Sequence, residues 1–184
     1  MKFDNLKIKD QNGYYFFNPI VGFLLYKTGT LSGAAFKVSN ETIDSNYNCV
    51  LNPYLMKKNE LSYDIKISLL TKVYAKLLVI ISRFSFYLAC QVAKLPLVRL
   101  PNSIYAAQVF NAIYSSPCQQ RTLCLPRTLF VLATSKSFKH KGTAFIGVFL
   151  PSKKMHAWVI ESGYNPDITD EIWILYQPIL IISK

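Results

Sequence analysis

At 184 residues the chain has room for one ordinary domain, or a small domain with an extension, and enough length to bury a core without disulfides or metal. Apolar residues make up 51% and charged residues only 17%, which excludes an intrinsically disordered chain. The net charge of +11 favours anionic partners, whether nucleic acid, an acidic membrane surface or an acidic peptide, without choosing among them. The start, "MKFDNLKIKDQNG", has no apolar signal core, so a cytoplasmic protein is expected, with Cys49, Cys90, Cys118 and Cys124 as reduced thiols. No CxxC pair occurs, and Cys118 and Cys124 have no histidine close by in sequence, so no metal site and no cofactor are expected. Nucleic acid is not an expected partner, because no motif with base-reading or stacking spacing accompanies the charge.

Residues 1–66 mix short β-like runs such as "GYYFF" with polar turns ("QNG", "SNET", "DSNYN") and read as an N-terminal extension of undefined fold; residues 67–184 read as the main domain. "ISLLTKVYAKLLVIISRFSFYLACQVAKL" predicts one long helix that ends at Pro96. Its basic residues Lys72, Lys76, Arg83 and Lys94 are spaced by 4, 7 and 11, which places them on one stripe of a 3.6-residue helix. Such a stripe is most often a solvated face; its functional reading is a dock for an acidic peptide or a peripheral membrane contact. The longest charge-free run in this apolar region, Phe84–Ala93, is far short of the roughly 20 apolar residues a spanning helix needs.

"LPNSIYAAQVFNAIYSS" predicts a second amphipathic helix, with Asn102 or Ser103 as its N-cap. A short helix is expected around Cys124–Ala133. "TAFIGVFL", the turn "PSKK" and "MHAWVIE" then form an antiparallel hairpin. "GYNPDITDE" is turn-rich, and "WILYQPILII" reads as a last strand broken at Pro178. The fold class is α+β, helices packed on a small antiparallel sheet.

Three residue types in this order suggest nucleophilic chemistry. In "RTLCLPRTLFVLA" a proline follows Cys124 by two positions, and proline is favoured in the first turn of a helix. Cys124 therefore falls at or next to a helix N-terminus, flanked by Arg121 and Arg127, where a thiolate is favoured. The bland alternative is a buried structural cysteine. His156 stands in an apolar strand with Trp158 and Ile160 on its face, and it is either a packed side chain or a general base. His140, in "KHKG", looks solvated and is a poor base. An imidazole used as a base needs an acceptor on its other nitrogen, and Asp167, with Asp170 next, is in range; either is also an ordinary turn aspartate.

"CLPRTLFVL", "AFIGVFLP" and "HAWVIE", with the lead-in "RLPNSIYAAQVFNAI", resemble the B protein of lasso-peptide biosynthesis over roughly Val92–Ile181. The resemblance implies a transglutaminase-like or papain-like cysteine peptidase that removes the leader from a ribosomally made precursor. It assigns Cys124 as nucleophile, His156 as base, and Asp167 (or Asp170) as third member. It also implies the precursor leader, a lasso cyclase and a separate leader-recognition protein as partners. "GYYFFNPIVGFLLY" resembles the strand-to-helix start of such a leader-recognition domain. Two departures stand out: Phe149 occupies a position where the family often has arginine, and Ile160 precedes Glu161 where the family has glutamate directly after "HAWV". Two other readings remain from the residues alone, acyl transfer on the same fold and a non-catalytic binding module built on the basic stripe.

Overall fold

The predicted hairpin forms one half of the larger sheet. The computed structural model describes residues 1–20, 22–28, 65–95, 97–115, 122–138, 142–167 and 172–183. Strands β5 (Gly142–Phe149) and β6 (Lys154–Glu161) pair antiparallel, with Gly147 opposite His156 and Phe145 opposite Trp158. The turn between them includes Lys153 in the left-handed region (φ 56°). β5 pairs on its other side with β7 (Gln177–Ser183), and β7 takes β1 (Lys2–Asn5), so Lys2 lies opposite Ser183. The order is β1-β7-β5-β6, which leaves β6, the histidine strand, at an edge.

The last strand is shorter than the sequence suggests. Ile172–Leu175 form a 3-10 turn, and β pairing begins one residue ahead of Pro178. Pro178 has no N–H to donate, and the β5–β7 register shifts between Ile146 and Gly147, opposite it.

Successive strand residues face opposite sides of the sheet. Ala144, Ile146, Val148, Ala157, Val159, Leu180 and Ile182 belong to the main core cluster. The alternate residues Phe145, Trp158, Ile160 and Ile181 are also buried, on the opposite face. Both faces are therefore covered. Continuous apolar runs such as "AFIGVF" are what a strand buried on two sides requires.

The expected long helix is two helices. α1 (Leu69–Phe84) and α2 (Phe86–Ala93) meet at Ser85, whose backbone is extended (φ −156°, ψ 120°). The Ser85 N–H donates to the Ile81 carbonyl, and its Oγ accepts the Leu88 N–H at 3.2 Å, so one serine closes the first helix and caps the second. Serine competes well for backbone groups in this way, and apolar periodicity alone does not register it. Lys72, Lys76 and Arg83 share α1, whereas Lys94 follows α2 and leaves the stripe. Among the described residues no helix is long and apolar enough to cross a membrane.

α3 (Ser103–Ile113) begins as expected at Asn102, whose Oδ1 accepts the Tyr105 N–H at 2.8 Å. α4 (Cys124–Thr134) is the central helix: Leu129, Phe130, Val131 and Leu132 are fully buried, and the helix touches α1, α2, α3, β5 and β6. The N-terminal strands β2 (Ile8–Asp10), β3 (Gly13–Asn18) and β4 (Phe23–Thr28) form a separate three-stranded antiparallel sheet. "GYYFFNPIVGFLLY" is thus strand–turn–strand, not strand-to-helix; Asn18 and Gly22 (φ 78°) turn the chain back before a helix can start.

Candidate active site

Cys124 is the first residue of α4. Its helix has no side-chain cap, so the amides of the first turn face outward without intrahelical acceptors. Pro126 fits this turn because it has no N–H to leave unpaired. Arg127, one turn on, donates its backbone N–H to the Leu123 carbonyl and begins the helical ladder.

β6 lies against this helix start. His156 on that strand hydrogen-bonds the Cys124 sulfur, and the backbone N–H of Ala157 donates to it as well. Burial pushes the Cys124 thiol up. The hydrogen bond and charge of His156, the Ala157 amide and the Arg127 charge together outweigh burial and hold it below the ordinary cysteine value. The two candidates picked from sequence, 32 positions apart, are therefore in contact.

The imidazole is held by aromatic neighbours. It stacks near-parallel to Trp158 (6.1 Å between centroids, 14°) and tilts against Tyr176 at 5.1 Å. Trp158 in turn stacks on Phe145 at 5.7 Å and is 1% exposed, so it is a core residue that supports His156 from behind. Gly147 makes this arrangement fit: a Cβ there would come within 2.5 Å of the Trp158 ring. Sequence reading passed over Gly147 and Tyr176. The signal for the first was present, since a glycine inside a strand run marks a close approach.

Asp167 is buried, 4% exposed, beside α4. Its carboxylate pairs with Arg127 Nη1 at 2.5 Å and accepts from Asn111 Nδ2 at 3.0 Å. Its own N–H donates to Asn165 Oδ1, an Asx turn that sets the approach of the chain. The contacts made by Asp167 thus fix Arg127, which stands one helical turn from Cys124. Asp170, Arg121, His140, Cys49 and Cys118 lie outside the described residues.

Glu161, at the end of β6, is 2% exposed and accepts a hydrogen bond from Ser103 Oγ. Strand alternation puts it on the face opposite His156, where it ties the end of β6 to the start of α3. Among the described residues no group of three or more His, Cys, Asp or Glu side chains is close enough to hold a metal ion. The chain matches no family model, no curated protein and no solved structure.

Proposed function

We propose that this protein is a cysteine peptidase of transglutaminase-like fold that removes the leader from a ribosomally made lasso-type precursor. The observation that carries the reading is the Cys124–His156 hydrogen bond at a helix N-terminus, with the thiol held below its ordinary value. The lasso-type substrate rests on the sequence resemblance alone.

In this reaction the Cys124 thiolate attacks the scissile carbonyl, and the resulting oxyanion meets the outward-facing first-turn amides of α4. The C–N bond breaks as the His156 imidazolium gives its proton to the departing amine, leaving a thioester on Sγ. His156 then takes a proton from water, the hydroxide attacks the thioester, and the carboxylic acid leaves as the thiol re-forms. In this reading Asp167 anchors Arg127, whose charge favours the thiolate. Replacing water by an amine in the last step would give acyl transfer. Cys124→Ala is expected to lower precursor cleavage by roughly 10⁴-fold or more with an unchanged circular dichroism spectrum. Undiminished cleavage by that variant would sink the mechanism.

A second reading, a surface that docks on anionic membrane, has its own support. Leu69, Val73, Ile80 and Phe84 lie along one stripe of α1 and are 78%, 54%, 54% and 84% exposed. Exposed Lys72, Lys76 and Arg83 run alongside, and the sequence has no Asp or Glu from Ile65 to Ile160. An apolar stripe with a cationic flank suits a headgroup boundary. Lys72→Gln with Lys76→Gln should weaken binding to phosphatidylglycerol vesicles by about 30-fold, at ~1 kcal/mol per charge. Equal sedimentation with neutral phosphatidylcholine vesicles would refute it.

A further inference from the structure

A cavity of about 190 Å³ opens beside the reacting pair. Its walls are Phe17, Phe86, Leu125, Ile146 and Met155, and Cys124, His156 and Ala157 border it. Among the described residues, the lining side chains other than the reacting pair are all apolar. Ligand pockets for whole small molecules run from about 300 Å³ upward. An apolar cavity of about 150 Å³ holds a benzene ring. The space therefore matches one medium apolar side chain.

The wall opposite the helix start comes from the N-terminal hairpin. Phe17 on β3 packs edge-on against Phe86 of α2, with centroids 5.1 Å apart and planes at 80°. Gly22, in the β3–β4 turn, has φ 78°, and a Cβ there would meet the Phe86 Cβ at 3.0 Å. A glycine at this point lets the turn come down onto α2, and that close approach brings the β3–β4 hairpin to the cavity rim. The hairpin thereby gains a task next to the nucleophile.

We infer that this cavity is the specificity pocket of the enzyme, and that it takes a leucine-, methionine- or phenylalanine-sized side chain of the peptide at one of the two positions on the acyl side of the cut bond. The inference rests on the peptidase reading and adds to it the residue type that the N-terminal hairpin selects. Charged side chains are disfavoured, because among the described residues the walls away from the reacting pair present no counter-charge to them.

The test uses the full chain and dipeptidyl chloromethyl ketones, in which the Cys124 sulfur displaces chloride. The last and next-to-last residues are varied separately among Gly, Leu, Phe, Glu and Lys. At one of the two positions, alkylation of Cys124 should be at least 10-fold faster with Leu or Phe than with Gly, Glu or Lys. Met155 is 39% exposed at the rim, so Met155→Glu should fold. It should cut the Leu/Gly rate ratio and raise the Lys/Gly ratio, a gain that a merely damaged protein does not show. Rapid alkylation with no side-chain preference, or a preference that Met155→Glu leaves untouched, overturns the pocket while the reactive thiol stands. Alkylation of Cys124 no faster than that of a free thiol, whatever the probe, overturns the peptidase reading and the pocket together.

Discussion

Cys90 and Cys124 stand on helices that touch each other, α2 and α4, yet their chemistry is opposite. Cys90 lies mid-helix and is 0% exposed in the apolar core. Burial pushes its thiol up to about 12, and the charges of Lys94 and the chain's amino terminus oppose this only weakly. Burial acts in the same direction on Cys124, where it is also the largest single influence. There the imidazole, the Ala157 amide and the Arg127 guanidinium reverse the outcome. A cysteine's depth in the protein therefore does not decide its reactivity. Its position on the helix and its one imidazole neighbour do.

The largest break in this contrast is expected from His156→Ala. In the parent, alkylation of Cys124 by iodoacetamide should rise with pH and reach half its maximum below the pH at which an ordinary thiol does. Without the imidazole, burial becomes dominant, so the midpoint should move above that value and labelling at pH 7 should fall by about 10-fold or more. Cys90 should stay unlabelled in both proteins until they unfold. Equal labelling of the two cysteines in the native parent would erase the distinction.

A smaller change in reactivity, but a large one in stability, is expected from Asp167→Asn. It leaves a buried Arg127 without its carboxylate, a loss of about 3–5 kcal/mol measured by urea unfolding. Since Arg127 keeps its charge, the Cys124 labelling midpoint should move by less than about 0.5 pH. A shift as large as that of His156→Ala would instead assign Asp167 to the imidazole.

The site was legible in parts, for different physical reasons. The helix start at Cys124 announced itself through Pro126, and the β5–β6 hairpin through its two apolar runs and a turn. The meeting of Cys124 and His156 depended on the packing of α4 against β6, which no local signal encodes; resemblance and residue order suggested it. The break at Ser85 was missed because the apolar periodicity continues through it and the capping hydrogen bonds do not show in hydropathy. Asp167 was expected beside His156 as the third member of the site; its contact with Arg127 was not foreseen, since a salt bridge 40 positions apart in sequence leaves no mark on spacing. The hairpin's place at the cavity rim was equally invisible: Phe17 reads as an ordinary strand residue until Phe86 is known to lie against it.

The pairing of β1 with β7 has a consequence for how the chain is made. Lys2 lies opposite Ser183, so β1 cannot pair until β7, far later in the chain, has been made. Until then the outer side of β7, with apolar Ile179–Ile182, is an open edge to which another nascent chain could add. When β1 arrives it is short, four residues, and carries an exposed lysine near its end, which makes it a poor template for further addition. On that side of the sheet β1 thus replaces a long apolar edge with a short one that discourages one copy from growing onto the next.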